Sequence, residues 1–293
     1  MGRFANLCCM RMKAYLTDLS DAEWIILEPH LPPREQRGRP REHDWREILN
    51  SIFYIVRSGC AWRLLPHDLP PWKTVYHYYR LWRINGTWGR IHQIIREKLR
   101  IQLGRDPQPS AGVIDSQSVK TTGVGGIERD FDGSKKINGR KRHLLVDTEG
   151  FVLKTKVHSA AIMDRDGVEL LLEQSIKDEF PRMKHVWLDG GYKGEGKGKQ
   201  WIEEHIGWSA EIVQHPPKPR GVWAREGEEI DWSKIMPPPG FRLLPRRWVV
   251  ERTFSWFGQN RRLSKDYERL PETSEAMIYA GMTRMMVRRL VKT

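Results

Sequence analysis

Three acidic residues stand where a carboxylate is expensive or where its neighbours favour charge. Asp115 interrupts the apolar run opened by Val113-Ile114, and Asp189 ends the run Val186-Trp187-Leu188. A carboxylate on a strand that should be buried costs on the order of several kcal/mol unless it is paired or binds a metal. Either one alone could simply cap the turn that follows its strand. Glu251 lies in Arg247-Trp248-Val249-Val250-Glu251-Arg252, beside Val250, Phe254 and Phe257, with Arg247 four residues earlier on the same helix face. Taken alone, Arg247 and Glu251 read as a surface ion pair worth about a few tenths of a kcal/mol. Taken together, carboxylates from two strand ends and one helix can converge on one rim of a sheet. Hard cations such as Mg²⁺ take oxygen ligands and keep open positions for substrate phosphates. Two such ions about 4 Å apart can activate a nucleophile and stabilise the leaving oxygen of an in-line displacement at phosphorus. That chemistry needs no Ser, Cys or His nucleophile, and no convincing triad of that kind is present.

The elements that must position these residues fall into two parts. Residues 12–105 read as all-helical. A helix beginning near Asp44 aligns Trp45, Ile48, Leu49, Ile52, Ile55 and Val56, and Gly59 ends it. Pro66, Pro70 and Pro71 punctuate the connection to a second helix. Its apolar face is Val75, Tyr78, Tyr79 and Trp82, leaving Lys73, His77, Arg80 and Arg83 on its other sides. A third helix begins near Thr87, with Trp88, Ile91, Ile95 and Leu99 inward. Three short helices, one of them basic, suggest a helix-turn-helix-like DNA reader; an ordinary small bundle with solvated arginines is the plainer alternative. Residues 106–293 alternate strand and helix signals. Strands are expected at Val113–Val119, Arg142–Asp147, Phe151–His158, His185–Asp189 and Glu211–Gln214, with a hairpin turn at Thr148-Glu149-Gly150. Helices are expected at Asp164–Phe180, Lys199–His205 and Arg246–Lys292, and residues 215–245 read as a long loop. This order implies an α/β fold with a mixed sheet and helices packed on it.

The charge is large and uneven. Net charge is +13 over 293 residues, with a pI near 9.7. Residues 1–105 carry 18 Lys and Arg against 10 Asp and Glu, residues 106–240 carry 20 against 22, and residues 241–293 carry 12 against 5. A near-neutral middle between basic ends fits an acidic catalytic centre framed by surfaces that hold a polyanion, nucleic acid first and an anionic membrane second. Merely solubilising charge would not explain the unevenness. No run approaches ~18 apolar residues, and no signal peptide is evident. Cys8, Cys9 and Cys60 make neither a disulfide framework nor a zinc spacing. The expectation is a cytoplasmic protein acting at the nucleoid, with Met12 as an alternative start.

Four stretches carry a family likeness: Ile114-Asp115-Ser116-Gln117-Ser118-Val119-Lys120-Thr121, Gly139-Arg140-Lys141-Arg142-His143, Leu188-Asp189-Gly190-Gly191-Tyr192 and Arg246-Arg247-Trp248-Val249-Val250-Glu251-Arg252-Thr253. The chain closely resembles the DDE transposases of bacterial insertion sequences, nearest to the IS-five group. The likeness continues through Arg261-Arg262-Leu263-Ser264-Lys265-Asp266-Tyr267-Glu268. It also covers Gly38-Arg39-Pro40-Arg41, Gly59-Cys60-Ala61-Trp62-Arg63 and Leu65-Pro66-His67-Asp68, so it spans about residues 15 to 290. The resemblance implies an RNase H-like catalytic core over 106–293, preceded by a small all-α DNA-recognition module over 12–105. It implies Asp115, Asp189 and Glu251 as catalytic, metal-binding residues holding two Mg²⁺ or Mn²⁺ ions. It further implies cleavage at the terminal inverted repeats of a transposable element, strand transfer into target DNA, and a homodimer or higher oligomer on DNA. The related signature often carries a Tyr three residues before the Arg and a Lys seven after the Glu; here those positions are Leu244 and Gly258. Arg261 or Arg262 is expected to supply the basic contact instead. The stretch Lys193–Pro245 is longer than the group suggests.

Basic residues around the triad complete the expected DNA surface. Lys135, Lys136, Arg140, Lys141 and Arg142 form a run before the second strand, Lys120 ends the first, and Arg247 precedes Glu251. Phosphate contact and counterion release are the functional reading; a solvated hairpin edge is the alternative. Arg37-Gly38-Arg39-Pro40 resembles a minor-groove hook, although a linker would look the same. Two rival functions remain at this stage: a nuclease that cuts but never joins, and a DNA-binding regulator on a dead nuclease fold. The presence of all three carboxylates argues against the second.

Overall fold

The computed structural model describes residues 14–33, 41–123, 126–173, 175–213 and 246–292. Helices α1 (Asp21–Leu27), α2 (Trp45–Ser58), α3 (Trp72–Ile84) and α4 (Thr87–Gln102) form the N-terminal part. Gly59 stops α2 with φ at +73°, the left-handed conformation that glycine adopts without strain. A side chain there would also strike Arg261, since an added Cβ would lie 2.9 Å from the Arg261 Cβ. The stop signal read from sequence is therefore also a packing contact with the far end of the chain.

Six strands follow: β1 (Ala111–Lys120), β2 (Asp130–Asp132), β3 (Ile137–Asp147), β4 (Val152–Ser159), β5 (His185–Leu188) and β6 (Ser209–Ile212). They form one mixed sheet in the order β2-β3-β1-β5-β6, with β4 also paired to β3. The β1–β3, β2–β3 and β3–β4 pairs are antiparallel, whereas β1–β5 and β5–β6 are parallel. On one face lie α5 (Asp164–Leu171), α6 (Ile176–Glu179) and α7 (Lys199–Trp201, continued by a π-helical turn at Ile202–Ile206), around Ile114, Leu145, Val168, Val186 and Leu188. On the other lie α8 (Arg247–Gly258) and α9 (Pro271–Lys292). That second core is continuous from Leu19 and Phe53 through Val113 and Leu144 to Val250 and Met286. Helix α9 packs against all four N-terminal helices as well as β4. Tyr79 of α3 donates to the Thr273 carbonyl of α9 at 2.6 Å. The fold is the RNase H-like arrangement expected, with an all-helical segment before it. Among the described residues no helix is long and apolar enough to cross a membrane.

Several boundaries differ from the sequence expectation. The helix expected over 164–180 is two short helices, the first ending at Leu171. The segment expected as one helix over 246–292 is α8 and α9, joined through a 3₁₀ turn at Arg261–Leu263 and a bridge between Thr121 and Asp266. The expected loop 215–245, the strand end at Gln214 and Leu244 lie outside the described residues.

The largest difference is β3, which begins at Ile137 rather than near Arg142 and so takes the basic run into the sheet. Successive side chains on a strand point to opposite faces. Arg140 and Arg142 therefore meet the 261–269 segment, while Lys141 and His143 meet α5. Arg140 pairs with Asp266 at 3.3 Å and donates to the Ile127, Glu268 and Arg269 carbonyls. Arg142 donates to the Leu263 and Lys265 carbonyls at 2.6 and 3.0 Å. Lys141 reaches Asp164 at 2.8 Å and the Ile162 carbonyl at 2.7 Å. All three are buried. Lys141 and Arg142 are thus corrected from DNA contacts to internal braces. Arg262 is corrected likewise: it is buried, paired with Glu268 at 2.7 Å, and donates to the Cys60 carbonyl.

This placement sets an expected outcome. Asp266→Asn leaves the buried Arg140 guanidinium without its carboxylate, and breaking such a pair costs about 3–5 kcal/mol. Urea unfolding of Asp266→Asn and Arg142→Met should show clearly lowered midpoints. Unchanged midpoints together with weakened DNA binding would return Arg142 to the DNA surface.

Candidate active site

The parallel register Ala111↔His185, Gly112↔Val186, Val113↔Trp187 decides the position of two acids. Carried two residues further, that register sets Asp115 level with Asp189 on the same face, at the ends of strands whose paired backbones run about 4.8 Å apart. Asp189 is the first residue past β5 and caps the 3₁₀ turn Gly190–Tyr192, its Oδ1 accepting from the Gly191 N–H at 2.8 Å. Asp115 Oδ1 accepts from the Ser116 N–H at 2.7 Å. Each carboxylate is thus held by one oxygen to the backbone. Burial and then the charge of Asp189 push the Asp115 carboxyl up to about 7, against the opposing pull of the Ser116 N–H, Arg247 and Lys135.

Helix α8 brings the third acid. It packs on β1 and buries Val249, Val250, Thr253 and Phe257, while Arg247 lies by the end of β5 next to Asp189. The Arg247 guanidinium lies 3.9 Å from Asp189 Oδ2 and 3.4 Å from Glu251 Oε1. Glu251 stands out from the rim, with 59% of its side chain exposed. The two carboxylates are separated by a single guanidinium nitrogen. Among the described residues no three carboxylate, imidazole or thiol groups stand close enough together to hold one ion. The chain brings Asp115 to Asp189 directly, and Glu251 to Asp189 through Arg247, rather than gathering all three around one point. The donor set still fits a hard divalent cation. Burial and the neighbouring Asp189 charge raise the cost of ionising Asp115, and a cationic guanidinium already bridges Asp189 and Glu251.

The turn that carries Asp189 is braced from beneath. Tyr192 is buried, and its hydroxyl lies 2.7 Å from His143 Nε2. His143 Nδ1 lies 2.9 Å from His158 Nε2, and His158 Nδ1 lies 2.9 Å from the Ser159 carbonyl. A carbonyl only accepts, so the protons run one way: His158 Nδ1–H donates to Ser159, His143 Nδ1–H to His158, and Tyr192 O–H to His143. This direction holds with both imidazoles neutral, which burial favours by holding them below the usual histidine range. Beside this chain, Asp164 accepts from Ser116 Oγ at 2.6 Å and pairs with Lys141. Burial alone would raise the Asp164 carboxyl, but these two partners hold it below its ordinary value. Gly191 separates Asp189 from Asp164. A Cβ there would lie 3.0 Å from Asp189 Oδ1 and 3.5 Å from Asp164 Oδ2, so a side chain would crowd both acids. Sequence reasoning missed this support. The Gly-Gly-Tyr after Asp189 was a visible signal; Asp164 was hidden as an ordinary helix-start residue.

The remaining expected DNA residues scatter. Lys73, His77 and Arg80 are exposed on α3, whereas Arg83 is half-buried, 4.0 Å from Glu272. Lys120 and Arg261 are exposed, and of the two arginines expected to supply the missing basic contact, Arg262 is committed inside the fold. Arg37 and Arg39 lie outside the described residues.

The raised Asp115 carboxyl has a definite pH signature. Between the ordinary carboxylate value and about 7 the metal-free folded chain holds a proton that the unfolded chain has lost. Stability of the metal-free protein should therefore fall as pH rises through that window. Asp115→Asn should remove this slope, leaving the variant relatively more stable at pH 8. Metal affinity of the unaltered chain should weaken as pH drops below about 7, because the proton and the cation compete for one carboxylate. Thermal unfolding and Mn²⁺ titration from pH 5 to 8 check both; a pH-independent difference between the two proteins would contradict the assignment.

Comparison with known proteins matches this geometry to a family. A model described as "Transposase DDE domain" matches residues 106–286, and one described as "Putative transposase of IS4/5 family (DUF4096)" matches residues 19–92. The chain is 31% identical over 113 residues to the "Insertion element IS402 uncharacterized 16.2 kDa protein" of Burkholderia cepacia, covering 36% of this chain and 76% of that protein. No solved structure matches. DDE transposase domains act on DNA and use divalent metal ions. With two acids set side by side at the strand ends and the domain match running through all of the sheet, the chain belongs to the DDE transposases and is an enzyme that cuts DNA and transfers its strands.

Proposed function

We propose that Asp115, Asp189 and Glu251 are the metal-binding triad of this transposase, holding two Mg²⁺ or Mn²⁺ ions in the working complex. The observation that carries this is the side-by-side placement of Asp115 and Asp189, joined to Glu251 through Arg247. When bound, such ions activate the attacking hydroxyl and stabilise the leaving oxygen. The chain's own residues orient this chemistry. The Ser116 and Gly191 N–H groups each fix one oxygen of Asp115 and Asp189. Arg247 keeps Glu251 at the rim, where closure around DNA brings it inward. At an element end, water attacks phosphorus, the P–O3′ bond breaks, and the leaving 3′ oxygen takes a proton. In strand transfer that 3′-hydroxyl attacks a target phosphodiester, forming a new P–O3′ bond as the target's own breaks. Two ends must be held together for this, so a homodimer or larger assembly on DNA is the working form.

Recognition of the terminal repeats is assigned to α3. Its apolar residues Val75, Tyr79 and Trp82 are buried, while Lys73, His77 and Arg80 face solvent. An arginine that reads guanine carries about 1–3 kcal/mol of discrimination, whereas one that holds phosphate weakens all sequences alike.

Two outcomes test the reading. Asp115→Asn, Asp189→Asn and Glu251→Gln should each abolish Mg²⁺-dependent cleavage of element-end DNA while retaining DNA affinity; near-normal cleavage by any of them removes that residue from the triad. Arg80→Ala and Arg83→Ala should narrow the affinity gap between element-end and random DNA by about tenfold each, as binding at two salt concentrations would read. A double variant that keeps both affinity and preference would make α3 scaffold only.

A further inference from the structure

The hairpin tip between β2 and β3 is held far more firmly than an exposed turn requires. Strand β2 is three residues long and pairs only with β3. The tip, Gly133 to Lys136, is exposed, and Lys136 sits at φ +54°. Yet Asp132 at its base is buried, and chain groups fill both its oxygens. Oδ1 accepts from the Ser134 N–H (3.0 Å), Ser134 Oγ (2.6 Å) and the Lys135 N–H (3.1 Å). Oδ2 accepts from Ser118 Oγ of β1 at 2.5 Å and faces Lys141 Nζ at 3.8 Å. Burial alone would raise this carboxyl, but its hydrogen bonds hold it well below the usual range, so it stays ionised and gripping. The effect is to pin the backbone of Lys135 to the strand that carries Asp115.

The side chain of Lys135 runs toward the carboxylates. Its Nζ donates to the Ser116 carbonyl at 3.4 Å, one residue from Asp115, and it acts electrostatically on both Asp115 and Asp164. The rest of the basic run differs. Arg140, Lys141 and Arg142 are buried and spend their donors on internal acceptors, and Lys136 makes no comparable approach. Lys135 alone in the run combines solvent exposure with a place at the carboxylate rim. An ammonium has three donors, and only one is directed at a carbonyl.

We propose that Lys135, mounted on the Asp132 turn, is a substrate-contacting residue that binds one non-bridging phosphate oxygen of the DNA at or immediately beside the bond being cut. Asp132 is its positioning residue. The assignment rests on the triad reading above, because it takes the Asp115–Asp189 rim as the place of cleavage. Lys135 reaches the rim at the Ser116 carbonyl, next to Asp115, from the β2–β3 tip rather than from α8.

The experiment uses the full-length protein and duplex element ends carrying one neutral methylphosphonate at each of five phosphates centred on the cut. Lys135→Gln, a change at an exposed site, should fold normally and lose about ten- to a hundredfold in kcat/KM, as expected for a lost charge-assisted contact. At one methylphosphonate position the unaltered protein should suffer a comparable loss while Lys135→Gln suffers little or none. Lys135→Arg should recover part of the activity, and in Lys135→Gln the salt dependence of binding should ease by about one charge. Additive losses at every position, or unaltered kinetics in Lys135→Gln, would overturn the proposal. So would a changed Mn²⁺ affinity with additive phosphate effects, which would make Lys135 a counter-charge for Asp115. Asp132→Asn should mimic Lys135→Gln; if it unfolds, the Lys135 arms decide alone. Inactive Asp115→Asn and Asp189→Asn alongside additive behaviour would sink Lys135 and keep the triad, whereas active triad variants would sink the triad first.

Discussion

Parallel pairing of β1 with β5 brings Asp115 level with Asp189 at the ends of two buried strands, and much of the molecule answers that single juxtaposition. Two carboxylates carried level with one another on neighbouring strands repel, and neither can be moved away without slipping the register of the sheet. Water is limited there, so the repulsion shows as an Asp115 carboxyl pushed up to about 7 by burial and by its neighbour. Positive charge must come to the rim, and it does so from two sides: Arg247 from α8 and Lys135 from the β2–β3 tip. A metal-using phosphoryl-transfer site needs this tension. A pair of acids already satisfied by the protein would have no reason to take up a cation.

The chain of rings that braces the Asp189 turn adds no charge to the rim. The chain from Tyr192 through His143 and His158 to the Ser159 carbonyl is neutral throughout. Lys141 lies between Asp164 and Asp132, and the Ser116 and Ser118 hydroxyls donate to these same acids, so both are held ionised within the fold. On the opposite face of β3, Arg140 and Arg142 tie the sheet to the 261–269 segment, which leads into α9. Helix α9 packs in turn against α1 to α4. The helix assigned to DNA recognition and the strands that carry the acids are therefore linked through one continuous apolar core.

The acids were legible in the sequence because strand periodicity and apolarity surrounded them: Val113-Ile114 before Asp115 and Val186-Trp187-Leu188 before Asp189 leave each carboxylate conspicuous. Helices α2, α3 and α4 were legible for the same reason, their apolar stripes being long and regular. The basic run was misread because Arg140 and Lys141 look like surface and carry no local sign of being strand, and Arg142, read as the start of a strand, carries no local sign of being buried. Their burial is decided by Asp266, Glu268 and Asp164, which lie far away in sequence and supply the compensating groups. Likewise nothing local separates α5 from α6, or joins Glu251 to Asp189 through Arg247; those are outcomes of tertiary packing. Glu251 was expected as the third acid of the site, but its stance out from the rim was not foreseeable.

The central claim is that the Asp115–Asp189 rim is where divalent metal binds. Anomalous diffraction from crystals of the protein grown with element-end DNA and Mn²⁺ tests it most directly. The expected map has manganese peaks within coordination distance of Asp115 and Asp189, with Glu251 moved inward to share one of them. Manganese bound elsewhere on the protein, with Asp115 and Asp189 holding none, would contradict the account.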